Sequence, residues 1–255
     1  MEKSEYEIMY SLESSYWWFL GKQFLVEDQF RSLCLEPSNR CRILDIGSGT
    51  GQNIRTLERF GNVCGVERSS EAIRFLRKRG VRNVICSDAN VTLPFRDGVF
   101  SAVTCLDVLE HLDQDEFLLM EMYRVCEPGG YIFITVPAFR MFWSPHDIAL
   151  HHKRRYSREA MLHRIEGLRC KIKKVTYYNM VLSVPIWLFR KLRSVAPLKN
   201  HAESDFFTPL PDFLNKSLEL LFKLEITFLR YLNYPFGVSL LVILQREGER
   251  GIGKG

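Results

Sequence analysis

The chain has 255 residues, 46% of them hydrophobic and 25% charged, with a formal net charge of +5. These values match an ordinary globular chain long enough for one large α/β domain, or one domain with a cap, and they exclude a wholly disordered protein. A charge this small does not by itself mark a nucleic-acid binder.

Residues 1–34 read as helices broken at Tyr16-Trp17-Trp18-Phe19. A short buried strand is predicted over 42–46, a helix over 51–60 and a second strand over 62–66. Ser70 is read as the cap of a helix that runs to Arg79 and stops at Gly80. A third strand follows over 83–86, and a fourth over 100–106 is apolar on both faces, as a central parallel strand should be. Asp113 and Glu116 resemble a capping box for a helix ending near Cys126. Glu127-Pro128-Gly129-Gly130 is its stop signal, and a fifth strand follows over 131–136. This alternation argues for a doubly wound parallel sheet, with ligands at the carboxyl ends of its strands.

The rhythm then changes. Residues 137–156 form a long connection rich in His, Trp and Arg, of the kind that often carries function. Ser157 caps a helix to about Leu168, and 171–179 reads as a strand. A helix over 180–194 is interrupted by Pro185, a Pro-containing loop covers 195–211, and a long helix is predicted over 212–231. A last strand is placed at 236–245, with a disordered tail over 246–255.

Seven cysteines are scattered without a C-x-x-C pair or zinc spacing, which fits reduced thiols in a cytoplasm and no metal site. The N-terminal MEKSEYEIMY carries acids and lacks the apolar stretch of a signal peptide. The apolar runs near 180–189 and 238–244 are too short to span a bilayer. Nine basic residues against Glu159 and Glu166 fill 151–174. That bias fits a solvated face, or attraction to an anionic substrate or membrane surface.

The segment Asp45-Ile46-Gly47-Ser48-Gly49-Thr50-Gly51 joins a strand to a helix, where glycines allow a tight turn and close approach of a ligand. Nicotinamide enzymes share such a turn. Here the spacing is G-x-G-x-G after an acid, which would repel a pyrophosphate but suit a sulfonium or amino group. Glu67 ends the second strand, where a carboxylate can accept from ribose hydroxyls. Asp88 ends the third, where it can accept from an adenine amino group.

With these residues the chain resembles the class I S-adenosylmethionine-dependent methyltransferases. The likeness rests on ILDIGSGTG, Glu67, Asp88, the fourth strand running into Leu106-Asp107-Val108-Leu109-Glu110-His111-Leu112, and the turn at Glu127. It implies a Rossmann-like seven-stranded sheet with helices on both faces, the last strand antiparallel, and S-adenosylmethionine as cofactor. The cofactor residues it implies are Asp45, Gly47, Ser48, Gly49, Gly51, Glu67, Arg68, Asp88, Ala89, Leu106, Asp107, His111 and Trp18.

A bacterial and archaeal subgroup is also similar. The likeness lies in Tyr16-Trp17-Trp18-Phe19 with Lys22, in Trp143 to Asp147 followed by His152-x-Arg154-Arg155-Tyr156, and in Asn179, Asn215, Glu225 and 235–240. Lys22 and Gln23 depart from the arginines expected there. The organisation implied is an N-terminal helical segment (1–34), a cofactor-binding core (35–179), a helical cap (180–235), a last core strand (236–246) and a tail (247–255).

His146, Asp147, His152, Arg155 and Tyr156 follow the fifth strand and are the candidate catalytic residues. Histidine is the side chain most readily tuned as a base near neutral pH, Asp147 could orient it, and Arg155 could hold an anionic group bidentately. The same residues could instead form a polar network pinning the loop. The fourth strand does not run into an Asn/Asp-Pro-Pro-aromatic motif and no Pro-Cys nucleophile occurs, so nucleic-acid bases are disfavoured as acceptors. A small molecule, sugar or lipid-like acceptor is expected, with methylation at oxygen. A cytoplasmic protein, with peripheral membrane contact left open, is the corresponding location. The alternatives are a nicotinamide oxidoreductase and a non-catalytic S-adenosylmethionine-binding protein.

Overall fold

A computed structural model describes residues 3–33, 41–195 and 210–248. Seven strands form one sheet: β1 (Arg42–Ile46), β2 (Asn62–Glu67), β3 (Val84–Cys86), β4 (Phe100–Leu106), β5 (Cys126–Pro137), β6 (Cys170–Tyr178) and β7 (Ser239–Arg246). Their order across the sheet is β3-β2-β1-β4-β5-β7-β6. The first five strands run parallel, and β7 is antiparallel to both β5 and β6. The expected seven-stranded architecture with an antiparallel last strand is the one observed. Chain direction reverses its stacking order beside β1, where β1 pairs with both β2 and β4. Ligands bind at such a switch point.

Among the described residues, nine α-helices accompany the sheet: α1 (Lys3–Leu12), α2 (Trp17–Ser32), α3 (Gln52–Leu57), α4 (Ser70–Lys78), α5 (Asp115–Val125), α6 (Pro145–Ala149), α7 (Arg158–Ile165), α8 (Ser183–Val195) and α9 (Asp212–Phe228). One apolar layer packs between the sheet and α5 and α7, around Leu118, Met122, Tyr156 and Met161. A second, on the other face, gathers Phe30, Leu57, Leu76, Phe133, Phe222 and Ile226 from α2, α3, α4, β5 and α9. Burying side chains of this size contributes roughly 1.5–3 kcal/mol each.

Several local expectations are corrected. The cap of α4 is Ser69, whose hydroxyl accepts from Ala72 N–H, and not Ser70. Asp113 does not start α5. Gln114 precedes that helix without a side-chain cap, and Asp115 is instead buried beneath Arg164 and Tyr156. The Glu127–Gly130 turn does not separate helix from strand, because β5 begins at Cys126 and bends there where its register with β4 shifts. Pro185 falls in the first turn of α8, where a proline is tolerated, and does not interrupt the helix. Ser157 caps α7 as expected, accepting from Ala160 N–H. Most of the 195–211 loop and the tail from 249 lie outside the described residues, as does Cys34.

The helices at the two ends of the chain are joined. Tyr16 gives α2 no side-chain cap, and Asn215 of α9 supplies one across the interface. Gly21 permits this approach: a Cβ there would stand 2.0 Å from the Phe222 ring. Glu225 of α9 accepts from the N–H groups of Met180 and Val181, closing the turn after β6. Among the described residues, no helix is long and apolar enough to cross a membrane.

Candidate active site

A cavity of about 310 Å³ opens at the carboxyl ends of β1, β2 and β4. One wall is the turn after β1. Gly47 has φ +70°, and a Cβ on it would lie 2.3 Å from Val108 Cγ2, so the turn requires glycine. Gly49 N–H donates to Glu67 Oε2 at 2.9 Å, and Ser69 N–H donates to Oε1 at 2.7 Å. Glu67 is thus fixed by two backbone donors at the cavity edge, with burial pushing its carboxyl above the usual range. Asp88 also lines the cavity. Burial raises its pKa, but hydrogen bonds from Asn90 and Arg68 outweigh this and hold it below the ordinary value.

The opposite wall comes from α2 and the residues after β4. Asp107 has φ +55°, a conformation costing roughly 1–3 kcal/mol in a non-glycine residue. Its Oδ1 accepts from Thr135 Oγ at 3.0 Å, and its Oδ2 pairs with Lys22 Nζ. Lys22, where the sequence departs from the subgroup's arginines, therefore reaches the cavity floor.

The third wall is the connection after β5. It is not a loose loop. Ala138 pairs with Tyr156 in an isolated bridge, and Ser144 with Asp147 forms a capping box at the start of α6. Asp147 is fully buried. Its Oδ1 and Oδ2 accept from Arg155 Nε at 2.8 Å and Nη2 at 3.0 Å, and Oδ1 lies 2.9 Å from His152 Nδ1. Burial alone would raise the Asp147 pKa, but His152 and Arg155 hold it well below the carboxylate range. Burial lowers the His152 pKa despite the pull of Asp147, so the ring is neutral near pH 7, with Nδ1–H directed at Asp147 and Nε2 left as a lone pair.

The structure brings Trp18, Gly47, Ser48, Gly49, Glu67, Arg68, Asp88, Ala89, Leu106, Asp107, His111, His146, His152 and Arg155 to one cavity. It leaves four of the expected residues outside that lining. Asp45 is buried behind the turn, its Oδ1 accepting from Thr104 Oγ at 2.7 Å. Gly51, with φ +94°, shapes the entry to α3. Asp147 acts through His152 and Arg155. Tyr156 is 1% exposed and donates to Asp115 Oδ2 at 2.8 Å, so its hydroxyl belongs to the core. Sequence reading did not assign Tyr6, Met9 and Glu13 of the first helical segment, Glu110, or Arg190 of α8, all of which line the cavity. Arg79 draws that first segment down by bonding Glu13 Oε2 at 2.7 Å and Tyr10 O at 3.2 Å.

These features fit an S-adenosyl nucleoside. Acids stand where cationic and hydroxyl groups would lie, and a Cβ on Gly49 would come within 3.1 Å of Met9 Cε, so α1 closes over the turn from above. A pyrophosphate would face Glu67 without a compensating cation from the turn itself.

Comparison with known proteins agrees. Residues 44–134 match the family model described as a methyltransferase domain. The chain is 32% identical over 122 residues to the Homo sapiens protein named "Probable tRNA methyltransferase 9B", covering 47% of this chain and 24% of that protein. It is 28% identical over 100 residues to a ubiquinone biosynthesis O-methyltransferase of Xanthomonas oryzae, covering 37% and 42% respectively. The chain thus spans less than half the length of these relatives. A SAM-dependent methyltransferase structure from Thermotoga maritima superposes with a TM-score of 0.59 at 20% identity, over 96% of each chain. The fold is that of the class I methyltransferases, whose cofactor is S-adenosylmethionine, and the stretch that matches a methyltransferase domain is 44–134, from β1 to β5.

Proposed function

We propose that the protein transfers the methyl group of S-adenosylmethionine to the oxygen of a small-molecule or lipid-like acceptor. The observation that supports this is the continuity of one cavity from the Gly47–Glu67–Asp88 wall to His146, His152 and Arg155. The cofactor, when bound, supplies an activated methyl group on a sulfonium. The acceptor oxygen forms a bond to the methyl carbon as the carbon–sulfur bond breaks, and the sulfur keeps that electron pair as a thioether. The chain contributes alignment, which can supply roughly 7–11 kcal/mol of the barrier. His146 or His152 takes the hydroxyl proton, and Arg155, whose bidentate edge is taken by Asp147 rather than left for an acceptor anion, braces the cavity wall beside them.

The described helices of 3–33, 180–195 and 210–235 act as caps over the core, and exposed Val184, Leu188, Phe213 and Leu220 on α8 and α9, outside the cavity lining, suit a greasy surface from which a lipid-like acceptor would come. Incubation with radiolabelled donor and fractionated cell extract tests the reading. Label in an organic-soluble or small-molecule fraction supports it. Label in RNA, the acceptor class named for one relative, overturns the acceptor assignment. Protection against heat by NADH but not by S-adenosylhomocysteine overturns the reaction. Unchanged turnover in both His146→Ala and His152→Ala removes the base.

A further inference from the structure

Glu110 is 0% exposed, and neither of its carboxylate oxygens has a hydrogen-bond partner. A buried carboxylate left this way is costly, and native structures nearly always satisfy it. Lys22 and Arg155 both act on Glu110 electrostatically, yet neither bonds it: Lys22 is paired with Asp107 and Arg155 with Asp147. Imidazole faces Glu110 as well. His152 Nε2 stands 3.9 Å from Glu110 Oε1, and the rings of His111 and His152 meet edge to face at 4.8 Å. One ligand atom from each of Glu110, His111 and His152 lies within 4.8 Å of the others.

We infer that Glu110, His111 and His152 form a binding site for a divalent first-row transition-metal ion at the floor of the cavity. Two imidazoles and one carboxylate are a donor set for zinc or iron, leaving positions open on the cavity side. With bonds of about 2.0–2.2 Å to the ion, the side chains need to close by only about an ångström. The orientation is already set: Asp147 accepts the Nδ1–H of His152 and so presents Nε2 inward, as carboxylates do behind metal-bound histidines. Glu110 and His111 are held together in the turn after β4, and Glu110 O accepts from Lys153 N–H at 2.8 Å, which ties that turn to the His152 segment. This ion would bind an acceptor oxygen beside the methyl donor and leave His146 to receive the proton. That role rests on the proposed methyl transfer, whereas the ion site itself does not.

The test is cobalt titration of the full chain, stripped with chelator, in the absence of methyl donor. One equivalent should bind with a saturable visible absorption band that zinc abolishes. Glu110→Gln, His111→Gln and His152→Asn should each weaken binding at least tenfold, and Asp147→Asn by about 10- to 100-fold. In the wild-type chain, zinc should shift the ring nitrogen resonances of two of the six histidines, one of them carrying a hydrogen-bonded Nδ1 proton. A wild-type chain with no saturable band overturns the inference, whether or not the variants fold. So does a band retained in folded variants of all three ligands, or a zinc shift confined to other histidines. Cobalt binding without methyl transfer would leave the ion site standing and remove the reaction.

Discussion

Asn215 Oδ1 accepts the backbone N–H of Trp17 at 2.9 Å, so a residue of α9 caps a helix 198 positions earlier in the chain. The same side chain donates to Ser15 O at 2.8 Å. Losing a helix cap costs about 1 kcal/mol. Asn215→Ala should therefore lower the melting temperature by roughly 2–4 °C, and differential scanning calorimetry reads it. Because α2 carries Trp18 and Lys22 to the cavity, the affinity for S-adenosylhomocysteine should fall in the same variant.

Glu67 is fixed by Gly49 and Ser69 with its carboxylate at the cavity edge. Hydrogen bonds to a charged group are worth about 1.5–3 kcal/mol. Glu67→Gln should weaken S-adenosylhomocysteine binding by roughly 10- to 100-fold in isothermal titration. An unchanged dissociation constant would remove Glu67 from the cofactor wall.

Asp147 neutralises Arg155, whose side chain is 2% exposed. Removing one member of a buried ion pair costs about 3–5 kcal/mol. Asp147→Ala should shift the urea midpoint strongly downward. The double variant Asp147→Ala, Arg155→Met should recover part of the loss, since no unpaired guanidinium is then left inside.

Burial pushes the Asp45 carboxyl up to about 6 from an ordinary value of 3.8. The folded state thus holds this proton more tightly than the unfolded chain does. The resulting stability is complete below about pH 4 and is lost as pH rises through about 6. In ligand-free protein, Asp45→Asn should match the wild type near pH 4 and exceed it above pH 6, by an amount of order 1–3 kcal/mol. A stability difference that stays constant from pH 4 to pH 7 would refute this.

The parts of the fold most legible in the sequence were those governed by local pattern. β4 is apolar on both faces, and its predicted bounds are the observed ones. The glycine turn was legible because only glycine fits Gly47. Punctuation misled where tertiary structure overrode it. Pro128-Gly129-Gly130 reads as a stop, yet the chain stays in β5 because pairing with β4 resumes beyond the bulge. Asp113 and Glu116 have capping-box spacing, but the box that forms uses Ser144 and Asp147, within a segment that reads as a connection.

The candidate site divides in the same way. The proposed cofactor wall lies within one strand–turn–helix unit and the ends of two neighbouring strands, so spacing marked residues that the structure brings to one cavity. Glu110, Lys22 and His152 come from three separate segments and meet only through the fold. Nothing in their local spacing marks Glu110 as a buried carboxylate facing two histidines. Tyr156 sits beside Arg155 in the chain but turns into the opposite layer, where Asp115 receives its hydroxyl.

β7 is paired on both sides, inserted between β5 and β6. During synthesis, the five parallel strands are available once residue 137 has emerged, more than a hundred positions before β7 is made. Until then β5 and β6 have no partner between them, and the cavity lacks Val238 and Ser239 from its lining. A growing chain thus shows β5, and later β6 as well, as an unpaired apolar strand until β7 is made. Pairings this distant in sequence close slowly, so the interval before β7 arrives is when unpaired β5 and β6 are most open to pairing with another chain.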